Sequence, residues 1–249
     1  MRLMLMHKTD STPQGSKLPT SDIVAQMGAF IGEHARSGRL LGGDGLLPDG
    51  AARTRLTFRD GRCTLQHGPY AGANELPAAI LKLEVATREA ALGWAERYGK
   101  ILGDGELELG AVTEAWDLGL SPRPDDAPLH FLLIEKADDA FEAKQPRSAK
   151  QKADLTRLRT EMSKARVLVS AEQLEPSAAA KRLRITNGEL RVIDGPFAES
   201  KELIAGFAIL ALPSVDAAIP ECQRYAEILG GTLEMDIRPL VEAAAEATA

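Results

Sequence analysis

The sequence predicts an α+β protein built as two like halves, each a ferredoxin-like run of strand, helix, strand, hairpin and a closing βαβ unit. Three observations carry this prediction. First, landmarks recur at one spacing: His67-Gly68-Pro69-Tyr70 precedes Asp194-Gly195-Pro196-Phe197 by 127 positions, and Arg97-Tyr98 precedes Arg224-Tyr225 by the same distance. Glu75-Leu76 with Glu202-Leu203, Asp60-Gly61 with Asn187-Gly188, and Leu3 to His7 with His130 to Ile134 keep that spacing too. Two copies are too few for a solenoid, so the repeat reads as a duplicated domain. Second, strand and helix periodicities follow one another in the same order in both halves. Third, Leu3 to Met6, Phe131 to Ile134 and Phe207 to Leu212 are apolar on both strand faces. A sheet with one wet face would alternate, so these strands need cover on both sides. Helices cover one side, and a second sheet supplied by the duplication covers the other.

In chain order, Arg2 to Lys8 is the first strand, and residues 9 to 20, with Pro13, Gly15 and Pro19, form a polar loop. A helix starts near Ser21, carries Ile23, Met27, Phe30, Ile31 and His34 on one stripe, and stops at Gly38. Gly42-Gly43-Asp44-Gly45 reads as a flexible connection; no strand-turn-helix pattern with a lysine follows to make it a phosphate cradle. Asp60-Gly61 turns a hairpin between Arg53–Phe58 and Arg62–Leu65. A strand at Ala78 to Val85, a helix capped by Thr87 and ended by Gly103, and a strand at Leu107 to Val112 close the first copy, residues 1–113. Residues 114–128, with Pro122, Pro124 and Pro128, are the linker. The second copy, 129–240, repeats the order: a strand at 129–135, a helix near 148–165, Val167 to Ser170, a hairpin at Asn187-Gly188, a strand at 206–212, a helix at 214–229 and a strand at 232–237. Pro220 predicts a kink or a late start for that last helix. Residues 241–249 are an alanine-rich tail.

Composition narrows the function classes. A net charge of −6 argues against general nucleic-acid binding, which needs a basic face for phosphates. Cys63 and Cys222 do not occupy matching positions, so no disulfide framework is expected and a reducing cytoplasm fits. The apolar run Leu3 to Met6 is far too short for a signal core or a membrane span. No cofactor is implied, and no metal, because no two histidines or cysteines have ligand spacing. The expected partner is a small molecule, with no nucleic acid and no membrane, in a chain that is a monomer or self-associates further.

The run Asp194-Gly195-Pro196-Phe197-Ala198-Glu199-Ser200-Lys201-Glu202, followed by Gly206-Phe207, resembles the signature of the YCII-related, or DGPF, family. The second copy carries nearly all of that signature, whereas the first departs from it with His67 for the aspartate and Tyr70 for the phenylalanine. The resemblance implies a dimeric α+β barrel in which two sheets pack face to face, here within one chain. It further implies a pocket for a small organic molecule, aromatic or keto-acid-like, and cofactor-independent acid–base chemistry of lyase, isomerase or dehalogenase type. Relatives of this kind use a histidine–aspartate pair, and only Asp194 matches the family's acid. The other implied role is a non-catalytic ligand-binding or regulatory module linked to transcription control. Haem serves distant barrel relatives, but nothing in this sequence selects a proximal histidine.

Asp194 has two readings. Beside a dry pocket, desolvation would raise its pKa and make it a general base; alternatively, it caps its own turn. His67 holds the position matching Asp194, while His7 and His130 flank the first strands and can point into the barrel. His34 lies on a helix stripe and reads as a core histidine. Ser200 and Lys201 read as a solvated loop, since the sequence shows no base for a serine nucleophile. Lys144, Arg147, Lys150, Lys152, Arg157, Arg159, Lys164 and Arg166 read as a solvated basic helix face.

Overall fold

The computed structural model describes residues 1–9, 20–48, 50–69, 74–186, 188–200, 203–229 and 233–242. The readings placed on Tyr70, Asn187, Lys201, Glu202, most of the loop at 9–20 and most of the tail lie outside the described residues. The first half runs β1 (Arg2–Thr9), α1 (Ser21–Arg36), β2 (Leu40–Gly45), β3 (Arg53–Arg59), β4 (Arg62–His67), β5 (Pro77–Val85), α2 (Arg88–Leu102) and β6 (Gly105–Ala111). The second runs β7 (Leu129–Lys136), a short α3 (Asp139–Glu142), α4 (Ala149–Lys164), β8 (Leu168–Gln173), β9 (Lys181–Thr186), β10 (Glu189–Asp194), β11 (Leu203–Ala211), α5 (Ile219–Leu229) and β12 (Leu233–Pro239).

Local chemistry explains the boundaries. The Thr20 and Thr87 hydroxyls accept from the amides of Ile23 and Ala90, using donors that the first helical turn leaves unpaired. Ser148 and Gln151 form a reciprocal capping box on α4. Gly103, at φ 90°, ends α2 in a conformation that a side chain would resist. Pro220 falls in the first turn of α5 and gives the late start, because its missing N–H would have been unpaired there anyway. Gly42 to Gly45, expected as a flexible connection, belong instead to β2. Pairing with β11, Gly45 opposite Gly206 and Gly43 opposite Ala208, outweighs glycine's weak strand preference.

The two expected sheets are present, antiparallel and packed together. The first has the strand order β10-β9-β12-β1-β11-β2, the second β4-β3-β6-β7-β5-β8. Neither sheet belongs to one half. The β1–α1–β2 unit completes the sheet of β9 to β12, and β7–α4–β8 completes that of β3 to β6. A strand's apolar pattern sets which face is buried, not which neighbour it pairs with, so β1 and β7 satisfy either sheet.

Alternation places the layers. Leu3 and Leu5 pack with Leu210, Met235 and Ile237 beneath α5. Met4 and Met6 turn the other way, onto Ile80, Leu132, Ile134 and Ile209 between the sheets. Phe131 and Leu133 repeat the outward role beneath α2 and α4, with Tyr98, Leu155 and Met162. The bridges Leu46–Val112 and Leu174–Leu240 join the two sheets at their ends. The inter-sheet space, where a ligand pocket was expected, is filled by these side chains. Among the described residues no helix is long and apolar enough to cross a membrane.

Candidate functional site

The signature turn is a packing device. Gly195 lies so close to the turn at 177–179 that a Cβ would sit 1.8 Å from the Ser177 carbonyl oxygen, so only glycine fits. The Gly195 amide donates to the Ala180 carbonyl, and the Phe197 amide donates to Ser177 Oγ. Phe197 then lies under the Arg182 guanidinium, 4.3 Å from the ring centroid, and covers it from solvent. Asp194 is left outside: its carboxylate is 77% exposed and accepts from Lys181 at 2.5 Å. This solvated place is not the dry pocket that its role as a base presupposes. His67 is exposed as well, with Nδ1 3.1 Å from Thr54 Oγ1. Among the described residues the two matching turn residues share no partner.

Ser200 corrects the reading of a solvated loop. It is buried, and Lys8 Nζ donates to its Oγ at 2.5 Å. Burial lowers the Lys8 pKa, while Asp236 at 2.6 Å favours its charged form. Asp236 also takes both arms of Arg182, at 2.7 and 3.0 Å. The second sheet repeats this cluster. Lys136 bonds Glu75 and Glu108, Glu108 accepts from Arg53 at 2.6 Å, and Arg55 bonds Glu75. The clusters are linked where the Glu75 amide donates to the Ser200 carbonyl at 2.7 Å. These charges are buried and mutually satisfied, so they tie the signature loop to β1 and offer no access to a substrate.

His130 points between the sheets at the end of β7, with Nδ1 2.6 Å from Glu114 and Nε2 3.2 Å from Glu84. His7 faces the opposite way, out of the barrel and towards the helices. It sits across from Met235 and Gly206, with Nδ1 3.2 Å from the Tyr225 hydroxyl. His34 is the expected buried histidine. Its Nδ1 bonds the Phe30 carbonyl at 2.9 Å, and Nε2 lies 3.2 Å from Glu221 but off the hydrogen-bonding direction.

His7, His34 and Tyr225 meet at a cleft of about 420 Å³ between α1 and the β1–β11–β2 edge. Its walls are Met27, Phe30, Ile31, Phe207 and Met235; its floor includes Gly42, Gly43, Gly45, Gly206 and Ala208. The small residues leave the space open, which is the use β2 makes of its glycines. Asp44 stands at the edge, bonded to Lys82 at 2.6 Å. Desolvation pulls the His7 pKa down to about 4, and pushes the Tyr225 hydroxyl up to about 12. The pair is therefore neutral at pH 7. Among the described residues only Nδ1 of His7 has a hydrogen-bond partner, so Nε2 is free for a ligand.

The depressed value has a sign. The unfolded chain takes up a proton on His7 below pH 6.5, but the folded chain does so only near pH 4. Stability from this group is therefore present above pH 6.5 and is lost as the pH falls towards 4. Urea denaturation is expected to show a loss of at most about 2 kcal/mol between pH 7 and pH 5, since the ring is half-buried. In His7→Gln that part of the loss disappears. Equal pH dependence in both proteins would show that the imidazole takes up its proton as readily in the fold as in the unfolded chain.

Sequence reasoning missed this site for two reasons: the glycines of β2 read as a turn, and the halves were aligned one residue out here. On β7 the position matching His7 is Glu135, which faces Leu107 and Ala79 as His7 faces Met235 and Gly206. Glu135 accepts from the Tyr98 hydroxyl at 2.8 Å, the counterpart of His7 and Tyr225. The repeated tyrosine was the available signal. Among the described residues no group of three or more His, Cys, Asp or Glu side chains gathers to hold a metal.

Two antiparallel sheets packed together, with helices outside, define a two-sheet α+β protein of barrel-like form. The chain belongs to the YCII-related domain family, whose domain matches residues 129–240. It is 34% identical over 87 residues to an uncharacterised protein of Rhizobium meliloti (strain 1021), a match spanning 35% of this chain and 70% of that protein. No solved structure matches.

Proposed function

We propose that the protein binds a small, largely apolar organic molecule, aromatic or keto-acid-like, in the cleft under α1, with His7 and Tyr225 at its polar end. The observation that carries this reading is the cleft itself: an apolar space of about 420 Å³, of ligand size, with a neutral imidazole aimed into it. Nε2 of His7 hydrogen-bonds the ligand, with Tyr225 fixing the ring. The polar anchor thus moves from Asp194, which is solvated, to a strand residue of the other half. The same reading takes the halves as copies of one ancestral unit, supported by their shared order of elements and by Gly-Pro turns at matching places.

Ala208 tests it. This residue lies opposite Leu5 on the helix side of β11 and lines the cleft, so Ala208→Phe fills the space without touching His7. Wild-type protein is expected to gain thermal stability from millimolar benzoate, phenylacetate or phenylpyruvate, because binding to the folded state stabilises it by mass action. Ala208→Phe is expected to lose that gain while keeping its ligand-free melting temperature within a few degrees. No shift in the wild type across these acids, or an undiminished shift in the variant, overturns the assignment.

A further inference from the structure

The geometry points to a second, chemically different site: the cleft under α4 binds a small anion of carboxylate or phosphate type, anchored by Arg159. This cleft lies on the other sheet, towards β6 and the C-terminal end of α2. It is a wider groove of about 980 Å³, with Glu135 where the first has His7, and with Gln151, Leu155 and Arg159 of α4 along one wall.

Charge accounting separates it from an ordinary solvated face. On α4 two of the outward cations are neutralised within the helix: Lys150 and Arg157 both bond Asp154, at 2.5 and 2.8 Å. The other acid of the helix, Glu161, is held by Arg97. Glu135 at the floor is taken by Arg147 and by the Tyr98 hydroxyl. Arg159 and Lys152, one face of the helix and both lining the groove, have no carboxylate within ion-pair distance among the described residues. Arg159 Nε is also buried and without a hydrogen-bond partner. A desolvated guanidinium donor left unpaired is costly, and an anion supplies what it lacks. The planar fork suits the two oxygens of a carboxylate or phosphate, and Lys152 adds a point charge at the rim.

Isothermal titration at constant ionic strength tests this, with inorganic phosphate in one arm and citrate in the other. Saturable binding is expected in at least one arm, and which arm responds identifies the chemistry. Arg159→Gln is expected to weaken it at least about tenfold, the usual weight of a charge-assisted hydrogen bond. Glu135→Gln keeps the bond to Tyr98 but frees Arg147, and is expected to tighten binding several-fold. That second variant moves affinity upward, so misfolding cannot mimic it. No saturable heat in either arm overturns the proposal. So does affinity unchanged in Arg159→Gln, or affinity that falls in a folded Glu135→Gln.

Discussion

Cut within residues 114–128 and separated in urea, the chain is expected to give two halves that do not fold alone but restore the structure when mixed. β7 is the strand between β6 and β5, and β1 is the strand between β12 and β11. Each half therefore loses the middle of its sheet: it keeps a three-strand run, β4-β3-β6 or β10-β9-β12, with its remaining strands unpaired and the inter-sheet face uncovered. The linker suits a protease site because residues 119–126 are exposed. Near-ultraviolet circular dichroism and gel filtration of each half, and of the mixture, read the result. A half that unfolds cooperatively alone would mean that its first strand can fold back to fill its own sheet. The exchange would then be a choice between near-equal pairings.

Neutralising Glu108 is the largest expected effect of a single substitution. Its carboxylate is fully buried and accepts from Arg53 and Lys136 at 2.6 and 3.1 Å. Glu108→Gln leaves those two cations under-compensated in the same dry space, a loss of about 3–5 kcal/mol for a broken buried pair. Burial alone would raise the Glu108 pKa, but Lys136 and Arg53 outweigh it and hold the carboxyl at about 2. Its contribution is therefore present above pH 4.5 and is lost as the pH falls towards 2. The gap between wild type and variant in urea denaturation should be full at pH 7 and narrow steadily below pH 4.5. A gap that stays constant down to pH 2.5 would show that shape, not charge, is what glutamine disturbs. Asp194→Asn is the contrast. That ion pair is solvent-exposed, and pairs of its kind contribute little.

Much of the fold was legible because its signals are local. Thr87 and Gly103 act as cap and stop where their chemistry places them, and Asp60-Gly61 turns its hairpin. The need for a second sheet followed from Leu3 to Met6, whose side chains do face two cores. The strand exchange was not legible, because periodicity carries no partner information. The site was only half legible. His7 was named, but towards the wrong face: strand parity decides the face, and a one-residue slip in aligning β1 with β7 reverses it. Ser200 was taken for solvated because the sequence shows no partner for it. Its burial comes from Lys8, which is distant in sequence and is itself buried only through Asp236 and Arg182.

The pairing of β1 with β12, Leu3 opposite Pro239, has a consequence for how the molecule comes into being. Synthesis runs from β1 to β12, so β1 leaves the ribosome first and meets its neighbours, β11 and β12, last. Until then a strand apolar on both faces has no sheet to enter. Closing so long a loop makes folding slow compared with a protein of local contacts, and leaves an aggregation-prone edge exposed while it waits. Leu3 to Met6 is thus the stretch of the fold that waits longest between synthesis and burial.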